Sequence, residues 1–418
     1  MLIDFKWLSL ACRNAMRNRR RSLVTLAIAA TGTAAALLGG GFALHTYESL
    51  AQASARDTGY LVLAAPGHFA GIESMPLEHG LAGRSELTRE LLTHPQVTRV
   101  LPRLQFSGLV SNGDKSEIFL GTGVDARQEF LVKGPFMQVE DGALLDDGND
   151  SSGGAAAAAR GPGIVLGKGL ARILNAKPGS SLTLMSTTTA GSLNAIDVTV
   201  TGIVSSGVAD IDKRLAMVDL STAQNLLVTD KVSYLSVYLD ELAHSDAVGQ
   251  TWRSQYAGKL EIRSWLDQAV FYQSVKGLYN RIFGFLGVIV LVIVLFAIAN
   301  TLSMAVLERT REIGTLRAMG TTPGEVTRLF TLEGLVLGSG GAALGMALAA
   351  GVALALLKSG IQMPPPPGRT AGYPLVVTVS PALYAAAALA VTVLAALASL
   401  LVSRKAANQS VVEALAHV

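Results

Sequence analysis

Four long apolar runs interrupt an otherwise mixed chain. Residues 22–44, 282–307 and 334–357 contain no charged side chain, and a fourth run lies between Arg369 and Arg404. Each is long enough to cross a hydrocarbon core, which takes roughly 20 apolar residues in a helix. Pro374 and Pro381 push the helical start of the fourth run to about Ala382. Between the first and second runs the pattern changes character. Short Val-, Ile- and Leu-rich segments at 60–65, 107–111, 196–204 and 232–239 are bounded by Gly, Asn, Asp and Pro, and read as strands. Residues 167–175 and 219–228 read as short helices among them.

The expected organisation is one span, a large domain, then three closely spaced spans. In residue numbers this gives an interfacial helix over 1–22, a first span over 23–45 and a mixed α/β domain over 46–264. A stalk helix follows over 265–281, then a second span over 282–307, a charged turn over 308–331 and a third span over 332–357. A Pro-rich loop over 358–381, a fourth span over 382–403 and a tail over 404–418 complete the chain. The fold class is thus a membrane α-helical protein with four transmembrane helices, plus an extracytoplasmic mixed α/β domain.

Composition agrees with that reading. Half of the 418 residues are hydrophobic and 16% are charged, against about a quarter charged in soluble domains; the mean hydropathy is +0.42. The net charge of +3 says less than its distribution. Residues 1–22 hold six Lys or Arg and 308–331 hold four, whereas 358–381 hold only Lys358 and Arg369. By the bias of positive charge toward the cytoplasm, both termini and the 308–331 loop are expected inside, and the 46–280 region outside. The small-residue run AQASA at 51–55 resembles a signal cleavage site. Signal h-regions span only about 7–15 residues, so an uncleaved membrane span is expected instead.

Ile3, Trp7, Leu10 and Ala11 recur at helical spacing against Lys6, Arg13 and Arg17, as in a helix lying on an anionic membrane surface. Leu266, Val270, Phe271, Val275, Leu278 and Ile282 form a helical stripe running straight into the second span, with Gly277, Gly284 and Gly287 as potential breaks. A continuous helix there would be the stalk. Residues 147–163 are low in complexity and read as a loop, and Pro364 to Pro367 read as a stiff polyproline segment.

Candidate chemistry is sparse. A single cysteine, Cys12, excludes a disulfide framework and multi-cysteine metal sites, and the six histidines show no metal-ligand spacing. GIVLGKG at 163–169 falls one residue short of a phosphate-binding loop, and Gly169 stands where a magnesium-holding hydroxyl belongs. No nucleophile elbow or Cys/His pairing occurs, so no catalytic residue is expected.

The densest signal is LERTREIGTLRAMGTTPGEVTRLFTLEGLVLGSGGAALG at 307–345. Glu308, Arg309, Arg311 and Glu312 alternate in sign, with Glu308–Arg311 and Arg309–Glu312 spaced to pair at i,i+3. Val306, Ile313 and Leu316 give this helix an apolar side. Gly320 fits the position just past a helix end, and Thr322, Pro323 and Glu325 form a capping box with proline at the first helical position. A sharp helix–turn–helix is expected, feeding the third span. Glu333 sits where that span begins, and Gly334, Gly338, Gly341 and Gly345 recur at helical spacing that lets another helix approach closely.

This stretch resembles the FtsX-like permease signature found in MacB-type and lipoprotein-releasing ABC transporter permeases. RNAMRNRRRSLVTL at 13–26 resembles the opening segment of that family. The segments GIVLGKGLARIL, VTVTGIV and AMVDLSTAQNLL within 163–227 resemble its extracytoplasmic core domain. The resemblance implies a non-catalytic subunit of the bacterial inner membrane that dimerises with a second copy or a paralogue. It implies two copies of a separate cytoplasmic ABC ATPase, which bind the ATP and Mg, and no cofactor in this chain. Glu308, Arg309, Arg311, Glu312, Gly314, Arg317 and Gly320 would then form the ATPase-coupling helix, with Thr322, Pro323 and Glu325 capping its turn. Hydrolysis would move the periplasmic domain by mechanotransmission to extract or export a lipoprotein or lipid-like cargo, passed to a periplasmic carrier or adaptor. The alternative function is a signalling scaffold that activates a cell-envelope enzyme. Membrane lipids are expected partners, and nucleic acid is not.

Overall fold

The structure, a computed structural model, describes residues 11–13, 17, 19–70, 76–133, 137–145, 161–363 and 373–408. The loop expected over 147–163 and the interfacial helix over 1–22 lie largely outside the described residues, and Pro364 to Pro367 lie wholly outside them. The chain divides into two compact units: Met1–Glu48, Val275–Gln362 and Pro374–Val418 in one, Ser49–Ser274 and Met363–Tyr373 in the other.

In chain order the elements begin with α1 (Arg19–Thr58), β1 (Leu61–Ala64), α2 (Arg84–Leu91), β2 (Val97–Ser111), β3 (Ser116–Val124), α3 (Ala126–Lys133) and β4 (Gln138–Gly142). They continue with β5 (Gly163–Gly167), α4 (Lys168–Ile173), β6 (Ser181–Thr187), β7 (Leu193–Ser205), α5 (Ala209–Asp212), β8 (Leu215–Asp219), α6 (Leu220–Leu227) and β9 (Tyr234–Leu239). After α7 (Ser245–Gln255), β10 (Glu261–Ser264) and α8 (Trp265–Gln268) come the helices α9 (Val270–Glu308), α10 (Thr310–Ala318), α11 (Pro323–Ser359) and α12 (Pro381–Ala407).

The second unit is built on one sheet, ordered β10-β1-β9-β2-β3-β8-β5-β7-β4, with β6 pairing with both β2 and β7. Pairing is antiparallel except for β3 with β8 and β5 with β7. Strand β2 is the organiser: its first half pairs with β9 and its second half with β3, and its last residues also pair with β6. The core contains Leu104, Phe119, Ile164, Leu166, Leu182, Leu184 and Leu235 from the strands. Leu170, Leu174, Leu226, Leu227, Val248 and Trp252 from α4, α6 and α7 complete it. The glycines of the 163–169 motif have a packing cause. A Cβ on Gly167 would lie 2.4 Å from the Asp212 carbonyl oxygen, and one on Gly169 would lie 2.8 Å from the Lys213 nitrogen. They let α5 pass close over the strand-to-helix turn, and Lys168 pairs with Glu140 at 2.7 Å.

The first unit holds parts of four helices that are long and apolar enough to cross a membrane among the described residues. Their ends differ in places from the sequence-based boundaries. α1 does not end near residue 45 but continues to Thr58, because residues 46–58 carry no helix-breaking Gly or Pro and are helix-compatible throughout. α9 starts at Val270, not 265. The Ser264–Asp267 capping box closes a separate single turn, and Ala269 leaves the helical region at φ −82° and ψ 55°. From Val270 onward α9 is unbroken for 39 residues, about 58 Å at 1.5 Å per residue. Gly277, Gly284 and Gly287 sit within it without interrupting it. α11 starts at Pro323, where the capping box places it, and runs on into the third span; α12 starts at Pro381, one residue before Ala382.

Candidate functional site

α9 ends at Glu308, and Arg309 forms a bend at φ −99° and ψ 10° before α10 begins. The bend is tightened by the Arg309 N–H donating to the Val306 carbonyl at 3.1 Å and the Thr310 hydroxyl donating to the Leu307 carbonyl at 2.6 Å. α10, the first arm of the hairpin, is therefore a separate short helix and not a continuation of α9.

At its far end α10 closes with a Schellman motif. Gly320 takes φ +100°; its N–H donates to the Arg317 carbonyl at 3.0 Å, and the Thr321 N–H donates to the Leu316 carbonyl at 3.1 Å. The capping box then starts α11. The Thr322 N–H donates to Glu325 Oε2 at 2.9 Å, and the Glu325 N–H donates to Thr322 Oγ1 at 3.4 Å, with Pro323 following the cap. The backbone N–H of Thr322, then its hydroxyl, hold the Glu325 carboxyl below the usual carboxylate range.

Val306, Ile313, Val326, Phe330 and Ala407 pack together beneath this hairpin. Leu316, expected on the same apolar side, instead stands 36% exposed, and Met319 beyond it is 71% exposed. Gly314 is buried; Arg311 is exposed.

The charged residues pair differently from the i,i+3 expectation. Arg17 binds Glu312 at 2.9 Å, and Arg21 from α1 forms an ion pair with Glu308. Arg309 turns inward and donates from Nη1 to Glu333 Oε2 at 3.3 Å, both side chains being nearly buried. Arg317 donates from Nη1 to the Ala407 carbonyl at 2.9 Å, at the end of α12. Residues of α10, its bend and the last residue of α9 thus reach α1 and its N-terminal flank, α11 and α12. Local spacing predicts only neighbours on the same helix, whereas these partners come from segments up to 295 residues away.

The glycine row lies where helices approach most closely. A Cβ on Gly334 would lie 2.5 Å from Ser399 Cβ, and one on Gly338 would lie 2.5 Å from Ala395 Cβ, both on α12. On Gly341 it would meet Ala29 Cβ at 2.4 Å, and on Gly345 the Ala30 carbonyl oxygen at 2.5 Å, both on α1. The row therefore serves two neighbours, not one. Among the described residues no group of three or more His, Cys, Asp and Glu side chains could hold a metal ion.

A multi-pass membrane protein with a sheet-based domain between its first and second long helices is the class these features define. Residues 22–255 match the MacB-like periplasmic core domain and residues 284–411 match the FtsX-like permease C-terminal domain. The chain belongs to the FtsX-like, MacB-type family of ABC transporter permeases. It is 25% identical over 312 residues to the lipoprotein-releasing system transmembrane protein LolE of Haemophilus influenzae, covering 72% of this chain and 71% of that one. It is 28% identical over 190 residues to LolC of Neisseria meningitidis, where it spans about half the relative's length (46%) and 44% of this chain is covered. The permease YtrF of Bacillus subtilis is 40% identical over 68 residues, 16% of each chain. Among solved structures, the periplasmic region of MacB from Actinobacillus actinomycetemcomitans aligns with a TM-score of 0.34 at 16% identity, over 53% of this chain and 95% of that one.

Proposed function

We propose that this chain is the membrane subunit of a transporter driven by two copies of a separate cytoplasmic ATPase, which dock on α10 and its turn. The observation that carries this reading is the set of ties from α10, its bend and the adjoining end of α9, through Arg17–Glu312, Arg21–Glu308, Arg309–Glu333 and Arg317–Ala407. A push on a helix tied in this way is shared among the membrane helices instead of being absorbed by one loop. Arg311, Leu316 and Met319 remain turned outward for a partner. ATP and Mg belong to the partner, and this chain contributes no cofactor.

On this reading both termini are cytoplasmic, and the sheet domain is periplasmic. Two permease chains, identical or paralogous, form the working unit. The movement is mechanotransmission along α1 and α9, each long enough to exceed the roughly 30 Å hydrocarbon core. The cargo is a lipoprotein or similar lipid-bearing molecule handed to a periplasmic carrier, in keeping with the similarity to LolE and LolC.

The test is affinity purification from native membranes in mild detergent, with mass spectrometry of co-purifying proteins and lipids. A P-loop ATPase captured with the wild type and depleted by Glu308→Ala/Glu312→Ala supports the reading. Its absence across several detergents overturns it, and captured lipoproteins name the cargo.

A further inference from the structure

A helix end leaves its last carbonyls without amide partners. At the end of α1 three consecutive carbonyls are taken by side chains of two adjacent strands. The Tyr238 hydroxyl donates to the Arg56 carbonyl at 2.8 Å, the Arg103 guanidinium donates to the Asp57 carbonyl, and the Ser236 hydroxyl donates to the Thr58 carbonyl at 2.6 Å. Arg103 lies on β2, and Ser236 and Tyr238 lie on β9, which pairs with it. Gly59 follows at φ +103°, and a Cβ there would meet Ser236 Cβ at 2.8 Å. The Tyr60 N–H then donates to the Val237 carbonyl at 2.9 Å. The helix passes into β1 with no loop between them.

Behind these caps lies a charge cluster in which Arg103 and Glu129 are buried and Asp57 is exposed. Arg103 and Glu129 are 1% and 0% exposed and meet at 2.8 Å. Arg103 also donates to the Tyr238 hydroxyl at 2.7 Å. Lys133 bridges Glu129 at 3.3 Å and Asp57 at 3.0 Å. The two cations balance the two carboxylates. Replacing buried ion pairs with apolar side chains is often neutral or stabilising, so stability alone does not account for this cluster. What it adds over apolar packing is directional geometry: a forked guanidinium can satisfy a carbonyl, a carboxylate and a hydroxyl in only one arrangement. α8 and the start of α9 meet the same unit as well: the Trp265 N–H donates to the Tyr60 carbonyl at 3.1 Å, and Trp265, Ala269 and Tyr272 pack with Ala55.

We propose that Arg103, Ser236 and Tyr238 are positioning residues that weld the C-terminal turns of α1 to the β2–β9 pair, so that this end of the helix and the sheet form one joint. The inference deepens the coupling reading, on which its functional consequence rests, by naming the helix that carries movement into the domain.

The mechanical claim is tested without any ATPase. Full-length protein in lipid nanodiscs, with Cys12→Ser, carries spin labels at Gln52→Cys on α1 and Ser116→Cys on β3. A second pair, Ser116→Cys with Thr187→Cys, monitors the sheet itself. The expected result is one narrow distance distribution for Gln52–Ser116 that loses its single peak in Ser236→Ala/Tyr238→Phe, while the sheet pair is unchanged. That variant keeps the charge cluster; Arg103→Met is the harsher companion, and if it fails to fold the milder variant decides. A Gln52–Ser116 distribution that stays narrow in Ser236→Ala/Tyr238→Phe overturns the proposal. In reconstituted vesicles holding a triacylated lipoprotein as probe, the same variant is expected to retain ATP hydrolysis and lose ATP-driven release of that lipoprotein; retained release with a broadened joint overturns the positioning role. A wild type that binds no ATPase would instead sink the coupling reading and leave the distance result standing.

Discussion

Arg309 and Glu333 meet at 3.3 Å with 7% exposure each, one at the bend below α9 and the other in the part of α11 read as membrane-spanning. Charged groups in such surroundings are costly unless paired, and this pair ties the bend to a helix 24 residues further along the chain. Arg309→Met or Glu333→Leu alone breaks the pair by removing one partner, a loss of about 3–5 kcal/mol for a buried pair. Each single variant is expected to lower the melting temperature of the purified protein, and Arg309→Met/Glu333→Leu to recover most of the loss. A double variant no more stable than either single one would show that the pair is not an energetic unit.

Gly341→Ala places a methyl group where Ala29 Cβ would be only 2.4 Å away. Overpacking of this kind costs about 1–3 kcal/mol. Gly351→Ala is the control, because nothing lies within 4 Å of a Cβ there. Thermal melts in detergent should separate the two variants clearly, with Gly351→Ala matching the wild type.

Gly320→Val forces a β-branched residue to φ +100°, a conformation it strongly resists. The Schellman closure of α10 should fail, and yield of the co-purified ATPase should fall while the permease itself is still made. Thr322→Ala removes the cap side chain of α11, worth about 0.5–2 kcal/mol, and should weaken the same capture to a lesser degree. Equal recovery from wild type and Gly320→Val would remove the turn from the docking surface.

Glu129 gives the sheet unit a pH signature. Burial pushes its carboxyl up, but the Arg103 guanidinium and the Lys133 ammonium together outweigh that and hold it below the usual glutamate range. A carboxyl lowered on folding stabilises the native state above its unfolded pKa, and that contribution disappears as pH falls through the folded value. Melting temperature should therefore drop on acidification below about pH 4. Glu129→Gln should be less stable at neutral pH and show a shallower acid slope. An unchanged slope would assign acid sensitivity to other carboxylates. Burial also pushes the neighbouring Tyr238 hydroxyl up to about 12, so it remains a donor throughout this range.

Much of the site's local form is legible in the residues themselves. Gly320 after Met319, and Thr322-Pro323-Gly324-Glu325 after that, specify a helix end and a helix start, because caps act within three or four residues. The glycine row announces close helix approach. What it approaches, Ser399 and Ala395 on one side and Ala29 and Ala30 on the other, is not written in the row. The expected Glu308–Arg311 and Arg309–Glu312 pairs fail for the same reason. Helical spacing offers only nearby partners, worth a few tenths of a kcal/mol, and the fold brings Arg21, Arg17 and Glu333 to these residues instead.

Apolar length, periodicity and capping are properties of neighbouring residues, so the long apolar helices, the strand-rich domain between the first two and the capped hairpin are all legible along the chain. Which charges meet follows from the folded arrangement. Arg103 and Tyr238 stand 135 residues apart, and Arg17 and Glu312 stand 295 apart. Nothing in the local pattern distinguishes Arg103 from a solvated arginine on a strand. Only when β2 and β9 pair, and the end of α1 arrives over them, does water leave and the guanidinium acquire its carboxylate, its hydroxyl and its helix carbonyl together.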